Sequence, residues 1–209
     1  MTKRVVAFVD GFNLYHAIDD LGQEHLKWVD LRTLALEFAP APHDSLERVL
    51  YFTAYATWLK PAWARHRAYT SALRASGVEV MLSKFKKKQR RCALCQRYYR
   101  GHEEKETDVS IGVHLLDLAH RDEYDRALLV SGDSDLCPAV KLVRERYPEK
   151  EIVVLTPPGR RTTKGLADAT GIRATRMKSL HVERSLLPET VFDADGNAVA
   201  VRPAKYDPP

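Results

Sequence analysis

Residues 5–17 read VVAFVDGFNLYHA, and residues 127–136 read ALLVSGDSDL. Each opens as an apolar run without alternation, the pattern of a strand covered on both faces. Each run then meets carboxylates: Asp10 in the first stretch, Asp133 and Asp135 in the second. A buried parallel strand delivers the residues after it to the carboxyl edge of its sheet, where open α/β sheets bind ligands. Three carboxylates brought to one such edge repel one another unless a cation sits between them. The two stretches therefore predict both a sheet and a metal site.

The neighbouring sequence supports that sheet. Arg4–Val9 is followed by a predicted helix, Phe12–Leu21, that stops near Gly22. Asp30 can cap a second helix running to Phe38, with Leu31, Leu34, Ala35 and Phe38 on one face. Arg48–Tyr55 reads as a strand. Pro61 suits the first turn of a helix that ends near Ala75 and Gly77, and Val78–Leu82 is the next strand. Then come a helix at Glu103–His120, a strand at Ala127–Val130, a helix at Asp135–Tyr147 and a strand at Glu151–Leu155. Gly165–Thr170 reads as a short helix and Ile172–Thr175 as a short edge strand. Strand–helix alternation places the chain in the α/β class, with a mostly parallel central sheet and helices on both faces. We expect one domain over residues 1–181, carrying a basic cysteine-containing insertion at 84–101. Residues 182–209 form a Pro-rich tail, in which DADGN (193–197) suits the turn of a small hairpin.

Composition narrows the class further. The chain has 209 residues, 44% of them hydrophobic, and no run approaches the ~20 apolar residues of a membrane span. The first residues, MTKRVVAFVDG, have too short an apolar run for a secretory signal, so a cytoplasmic protein with no membrane partner is the expectation. Three cysteines are too few and too uneven for a secreted disulfide scaffold. The net charge is +5, a modest excess that is unevenly spread. From Lys84 to Arg100 there are eight Lys or Arg residues and no acid. A second basic stretch, PPGRRTTKG, occupies residues 157–165. Such patches suit a polyanionic partner, although a solvated basic loop would look the same.

Two further residues join the acidic set. On the predicted helix Asp108 shares a face with Ile111, Leu115 and Leu118, so it stands at the rim of the buried face. Asn13 lies one helical turn past Asp10, and its amide can hold a water or a phosphate without adding charge. Ser131 and Ser134 are placed to orient the carboxylates. Oxygen donors of this kind suit Mg²⁺ or Mn²⁺. Capping alone would also account for several of these residues: Asp10 at the first helix, and Ser134 or Asp135 at the helix after the second strand.

The DGFN after the first strand, HEEKETDVSIGVHLL (102–116) and LLVSGDSDLCPAV (128–140) together resemble the NYN domain of the PIN-like nuclease superfamily, in its LabA-like group. The resemblance runs from about Val5 to Ser179, with the three motifs in order. It implies a PIN-like three-layer α/β/α sandwich with strand order near 3-2-1-4-5, and a metal-dependent ribonuclease-type centre. By position it assigns Asp10, Asp108, Asp133 and Asp135 to the acidic metal-holding residues and Asn13 to the asparagine of the site. Other acid-bearing folds fit less well. A dehalogenase-type phosphatase wants a second aspartate two residues after Asp10, where Phe12 stands, and a Toprim domain wants a glutamate in place of Asp10.

Cys92 and Cys95 have the spacing of half a zinc site, with His102 as a third candidate ligand and the fourth missing. A second copy of the chain in a homo-oligomer could supply it, but two ordinary thiols in a basic loop fit equally well. The expected partner of the basic patch is RNA, in single-stranded form: rings stack on bases while cations meet phosphates. The residues assigned to that track are Lys84, Lys86, Lys87, Lys88, Arg90, Arg91, Arg97, Tyr98, Tyr99, Arg100 and Lys105. The expected function is hydrolysis of RNA phosphodiester bonds at the Mg²⁺/Mn²⁺ centre. The alternatives are an RNA-binding or regulatory module with weak or no catalysis, and a protein-interaction domain that uses the tail.

Overall fold

A computed structural model describes residues 2–91, 93–161, 165, 166, 168, 171 and 174–209, without the side chains of Arg90, Tyr99 and Arg100. At its centre is strand β1 (Lys3–Asp10), flanked in parallel by β2 (Asp44–Ala54) and β5 (Arg126–Val130). Strand β3 (Glu79–Arg91) lies outside β2, and β6 (Glu151–Thr156) lies outside β5, again parallel. The edges are β4 (Tyr98–Lys105), antiparallel to β3, and the two-residue β7 (Thr175–Arg176) on β6. The order is β4-β3-β2-β1-β5-β6-β7. Its five long parallel strands carry the expected 3-2-1-4-5 arrangement. The chain reverses its direction of travel across the sheet between β1 and β5, so the switch point lies where those two strands end.

Alternate residues of β1 feed two cores, as the two-residue period of a strand requires. Val5, Ala7 and Val9 face α1 (Gly11–Asp19), α2 (Leu31–Leu36) and α3 (Lys60–Ala75). Val6 and Phe8 face α4 (Thr107–His120) and α5 (Cys137–Arg146), meeting Ile111, Leu115 and Val140. Helices on both faces of one sheet make a three-layer α/β/α sandwich. The last part of the chain belongs to the first core. After α6 (Ser179–Glu183), the Trp28 indole N–H donates to the Pro188 carbonyl at 2.8 Å. Strands β8 (Thr190–Phe192) and β9 (Ala198–Val201) form an antiparallel hairpin packed against α3, and Val191, Ala200 and Tyr206 are buried there.

The basic segment departs from its sequence reading. It forms a two-stranded ribbon in which β3 runs nine residues past Leu82 and returns as β4, pairing Lys84 with Lys105 and Arg91 with Tyr98. The run Lys84–Arg91 shows no apolar alternation, so nothing in its pattern announces a strand; cross-strand backbone bonds and the anchor of Phe85 hold it. Glu103 to Lys105 consequently belong to β4 and not to the helix. The chain turns at Glu106, whose φ is 84°, and α4 begins at Thr107. Glu104 assists that start by accepting the Thr107 backbone N–H at 3.2 Å. The helix expected from Asp135 begins instead with a short 3-10 turn, Ser134–Leu136, before α5. Parts of the expected short helix Gly165–Thr170 and edge strand Ile172–Thr175 lie outside the described residues, as does Cys92.

Candidate active site at the switch point

Gly11 sets the geometry of the first motif. A Cβ there would lie 2.6 Å from the Phe52 carbonyl oxygen and 2.7 Å from the Tyr51 ring. Only glycine lets α1 start this close to β2, which leaves Asp10 at the strand end and at the head of the helix. Asp10 is the N-cap: its Oδ1 accepts the Asn13 N–H at 3.0 Å. Its other oxygen accepts the Ser131 hydroxyl at 2.9 Å, and Ser131 Oγ in turn accepts the Asp133 N–H at 3.1 Å. Asn13 Oδ1 accepts the Gly132 N–H at 3.1 Å, which commits its amide NH₂ to the other side. Asp133 accepts the Asp135 N–H at 3.0 Å, capping the short turn. The two acidic motifs are thus stitched to each other across the sheet edge.

Above this network opens a cleft of 790 Å³. Asp10, Asn13, Asp108 and Asp133 line it, with Glu104 from β4. Asp10 is 4% exposed, and burial raises its proton affinity; the hydrogen bonds from Asn13 and Ser131 oppose this, and Asp133 adds to it. Asp108 is pushed up to about 6, first by burial and then by the charges of Asp10, Asp133, Glu104 and Asp135. Asp135 itself is exposed and stands outside the cleft lining, reaching Asp108 only through its field. Ser131 touches Asp10, whereas Ser134 is exposed and makes no side-chain hydrogen bond to a carboxylate among the described residues.

The donors fit a hard divalent cation in kind: all are oxygen, and their mutual repulsion is the penalty such an ion relieves. Among the described residues, however, no three His, Cys, Asp or Glu side chains stand close enough together to hold a metal as a ready-made group.

The cleft also gathers residues that sequence reasoning missed. His16 comes three residues after Asn13 on α1, so the helical period alone would have found it. Arg160 and Arg161 also line the cleft, the Arg161 backbone lying beside Gly132; Arg160 pairs with Asp20 at 2.7 Å. Phe12, Trp58 and Phe85 form an aromatic wall, with Phe85 edge-on to Phe12 at 5.6 Å and to Trp58 at 4.8 Å. His102 lies flat on Trp58, its ring centroid 3.5 Å away.

That stack separates the zinc candidates. His102 pairs with Lys87 in the ribbon, while Cys95 lies in the turn beyond the Arg91–Tyr98 pair. The step from Tyr98 to His102 spans ~13 Å of strand, so His102 does not join Cys95. Among the track residues, Lys84, Lys86, Lys87, Lys88, Arg91, Arg97, Tyr98 and Lys105 are all exposed. Lys86 pairs with Glu106, and Lys88 and Lys105 with Glu103. Register places Phe85, Lys87 and Arg91 on one face with Glu104, His102 and Tyr98, continuous with the cleft. The side chains of Arg90, Tyr99 and Arg100 lie outside the described residues.

The family model for the NYN domain matches residues 4–173. The chain belongs to the NYN domain family. That family lies within the PIN-like nuclease superfamily and is generally nuclease-like, its nucleases typically using divalent metals. This NYN domain also resembles a solved structure of a protein of unknown function from Vibrio parahaemolyticus RIMD 2210633. The two are 20% identical, with a TM-score of 0.57 over 89% of this chain and 97% of the other. At that identity the likeness speaks for the fold alone. No curated protein matches the chain. No helix among the described residues is long and apolar enough to cross a membrane.

Proposed function

We propose that this NYN domain is a metal-dependent ribonuclease that hydrolyses phosphodiester bonds of single-stranded RNA at the switch-point cleft. The observation that carries the reading is the convergence of Asp10, Asp108 and Asp133 on one cleft beside an aromatic wall and two arginines. Asp10, Asp108 and Asp133 would hold Mg²⁺ or Mn²⁺, with Asp135 contributing from the rim. A divalent ion so held supplies activation of water and neutralises charge as the transition state forms.

The chain's own groups do the rest. Ser131 and the α1 N-terminus fix Asp10, so the deepest carboxylate needs no reorganisation on binding. The Asn13 amide, its oxygen already engaged by Gly132, is left to donate to a non-bridging phosphate oxygen. Arg160 and Arg161, which also line the cleft, would offset the charge of the phosphate. Phe12, Trp58 and Phe85 offer faces and edges on which bases stack, and Lys87 and Arg91 extend the cation track along the ribbon. In the reaction water adds to phosphorus, one P–O ester bond breaks, and the departing oxygen takes up a proton.

A second reading, RNA binding with weak or no catalysis, draws on one observation: the carboxylates are not gathered into a ready-made metal group among the described residues. The two part on a simple assay. Labelled single-stranded RNA incubated with protein and Mn²⁺ yields new ends under the first reading only. Asp133→Asn should abolish the cleavage while RNA retention on a filter persists; undiminished cleavage by that variant places the chemistry elsewhere.

A further inference from the structure

Charge is shared out unequally along this chain. Residues 55–102 hold twelve Lys or Arg and a single acid, Glu79, against 33 and 28 in the whole chain. The remainder is therefore net acidic, and Glu79 is itself paired with Arg48 at 2.7 Å. The ribbon supplies eight of the twelve cations. The other four stand on α3, KPAWARHRAYTSALRA, a helix of 16 residues without an acid. A solvent-facing helix ordinarily mixes both signs, with opposite charges three or four residues apart. On α3 that compensation is missing.

The fold sorts the four cations. Part of α3 packs on β3 and part on the β8–β9 hairpin. Arg65 lines the interior cavity between α1 and α3 and hydrogen-bonds the Tyr206 phenol. Lys60, Arg67 and Arg74 are exposed and recur every seventh residue. Seven residues make nearly two turns, so the three side chains stand in one row ~21 Å long. Between them lie only the small side chains of Ala64 and Ser71. None of the three cations has an ion-pair partner among the described residues, whereas Lys86, Lys88 and Lys105 of the ribbon meet Glu103 or Glu106. A row of free cations is the footprint of a phosphate backbone. It begins beside the cleft, since Lys60 directly follows Trp58 and Leu59 of the cleft lining.

The row differs from the cleft in offering no ring. Trp63 is covered by the Arg67 guanidinium, 5.4 Å from the ring centre, and Tyr69 is buried. Single strands are held by cations and stacking rings together, as the cleft provides. A double helix keeps its bases stacked inside and is held through its phosphates and its shape. Cations without rings fit the second. We propose that the outer row of α3 is a second RNA-binding surface, which holds a double-helical part of the substrate while an adjoining single strand enters the cleft past Trp58. The inference rests on the RNA reading of the cleft and narrows its substrate to RNA in which a duplex passes into a single strand. Lys60, Arg67 and Arg74 meet phosphates there and touch none of the reacting atoms.

The test separates this surface from the chemistry. Three probes are titrated into the full chain in chelator: a blunt RNA duplex of about 16 base pairs, a single strand of about eight nucleotides, and the two joined. Affinity is followed by fluorescence anisotropy across a salt series. Replacing Lys60, Arg67 and Arg74 together by Gln should flatten the slope of log affinity against log salt by about 2.7 for the duplex, three released phosphates' worth, and leave the single strand unchanged. Lys60→Gln with Arg74→Gln, which keeps Arg67 on Trp63, should flatten it by about 1.8. Far-UV dichroism and melting check that each variant folds. A wild type that does not bind the duplex, a duplex slope that the folded variants leave unchanged, or an equal loss for the single strand overturns the proposal. Mn²⁺-dependent cleavage of the single strand and of the joined RNA is read in parallel, and the joined RNA should lose its advantage in both variants. Cleavage with an unchanged duplex slope leaves the nuclease reading standing and removes the surface. A flattened duplex slope with no RNA cleaved upholds the surface and removes the nuclease reading.

Discussion

Replacing Asp108 by Asn should make the metal-free protein more stable, by an amount that depends on pH in a defined direction. Asp108 stands in the first turn of α4, half-buried, and its pKa is lifted from 3.8 to about 6 by burial and then by Asp10, Asp133, Glu104 and Asp135. A folded-state value above the unfolded one means that folding binds the proton more tightly. The ionised carboxyl therefore weighs against the fold above pH 6, and the penalty fades as the pH falls from 6 toward 3.8. Taken at face value the lift is worth ~3 kcal/mol at pH 7.5. Because the side chain is only partly buried, solvent screening reduces this to ~1.5 kcal/mol. The asparagine also gives up a favourable charge near the helix N-terminus, ~0.5 kcal/mol. The net gain is ~1 kcal/mol, a rise in Tm of ~2–4 °C for a chain of this length. Thermal melts in chelator at pH 7.5 and pH 4 measure it. An asparagine variant no more stable than wild type at pH 7.5, or a gain that persists unchanged at pH 4, would refute the account of repelling carboxylates.

Gly11→Ala should lose ~1–3 kcal/mol in denaturant unfolding, because its Cβ would press on the Phe52 carbonyl oxygen at 2.6 Å and neither backbone can yield cheaply; an unchanged midpoint would mean that α1 does not need this approach. Replacing Lys87 and Arg91 together by Ala should lower the slope of log affinity against log salt for single-stranded RNA by about 1.4, two released phosphates' worth. A slope equal to wild type would remove the ribbon face from the binding track. His102→Ala should leave the zinc content of the purified protein unchanged, measured by plasma mass spectrometry, since the ribbon holds His102 against Trp58 and away from Cys95; zinc lost from the variant would restore His102 as a ligand.

The legible and illegible parts of the fold divide along physical lines. The parallel strands were legible because burial on both faces demands unbroken apolar runs such as Val5–Val9 and Ala127–Val130, and runs of four or five residues are too short for a buried helix. Asp108 was legible for a related reason: a carboxylate on the face of Ile111, Leu115 and Leu118 violates an otherwise apolar stripe. The ribbon was not, since Lys84–Arg91 is strand only through its pairing with β4, a non-local interaction without a signature in either segment. Glu103–Lys105 looked helical because a strong helix comes immediately after, and the left-handed turn at Glu106 that separates them falls on a residue that rarely adopts it. Trp58, Arg160 and Arg161 come from loops far apart in sequence, so only the folded sheet brings them to one cleft.

Asp10 shows why capping and catalysis need not be rival explanations for one residue. It caps α1 through the Asn13 N–H and is also the deepest carboxylate of the cleft. The first role asks only for a side-chain oxygen at that position, and Asn caps as well as Asp. The second asks for the charge. Asp10→Asn keeps the oxygen and removes the charge, so it should retain wild-type stability or slightly exceed it, burial no longer opposing an ion there. Asp10→Ala removes both and should lose ~1 kcal/mol. If the carboxylate serves only the cap, the asparagine variant cleaves RNA as wild type does and the alanine variant alone is impaired. If it holds the metal, both are inactive, and Mn²⁺ raises the Tm of wild type but of neither variant. An active asparagine variant with wild-type Mn²⁺ response would reduce Asp10 to a helix cap and, with it, the acidic strand end to a structural device.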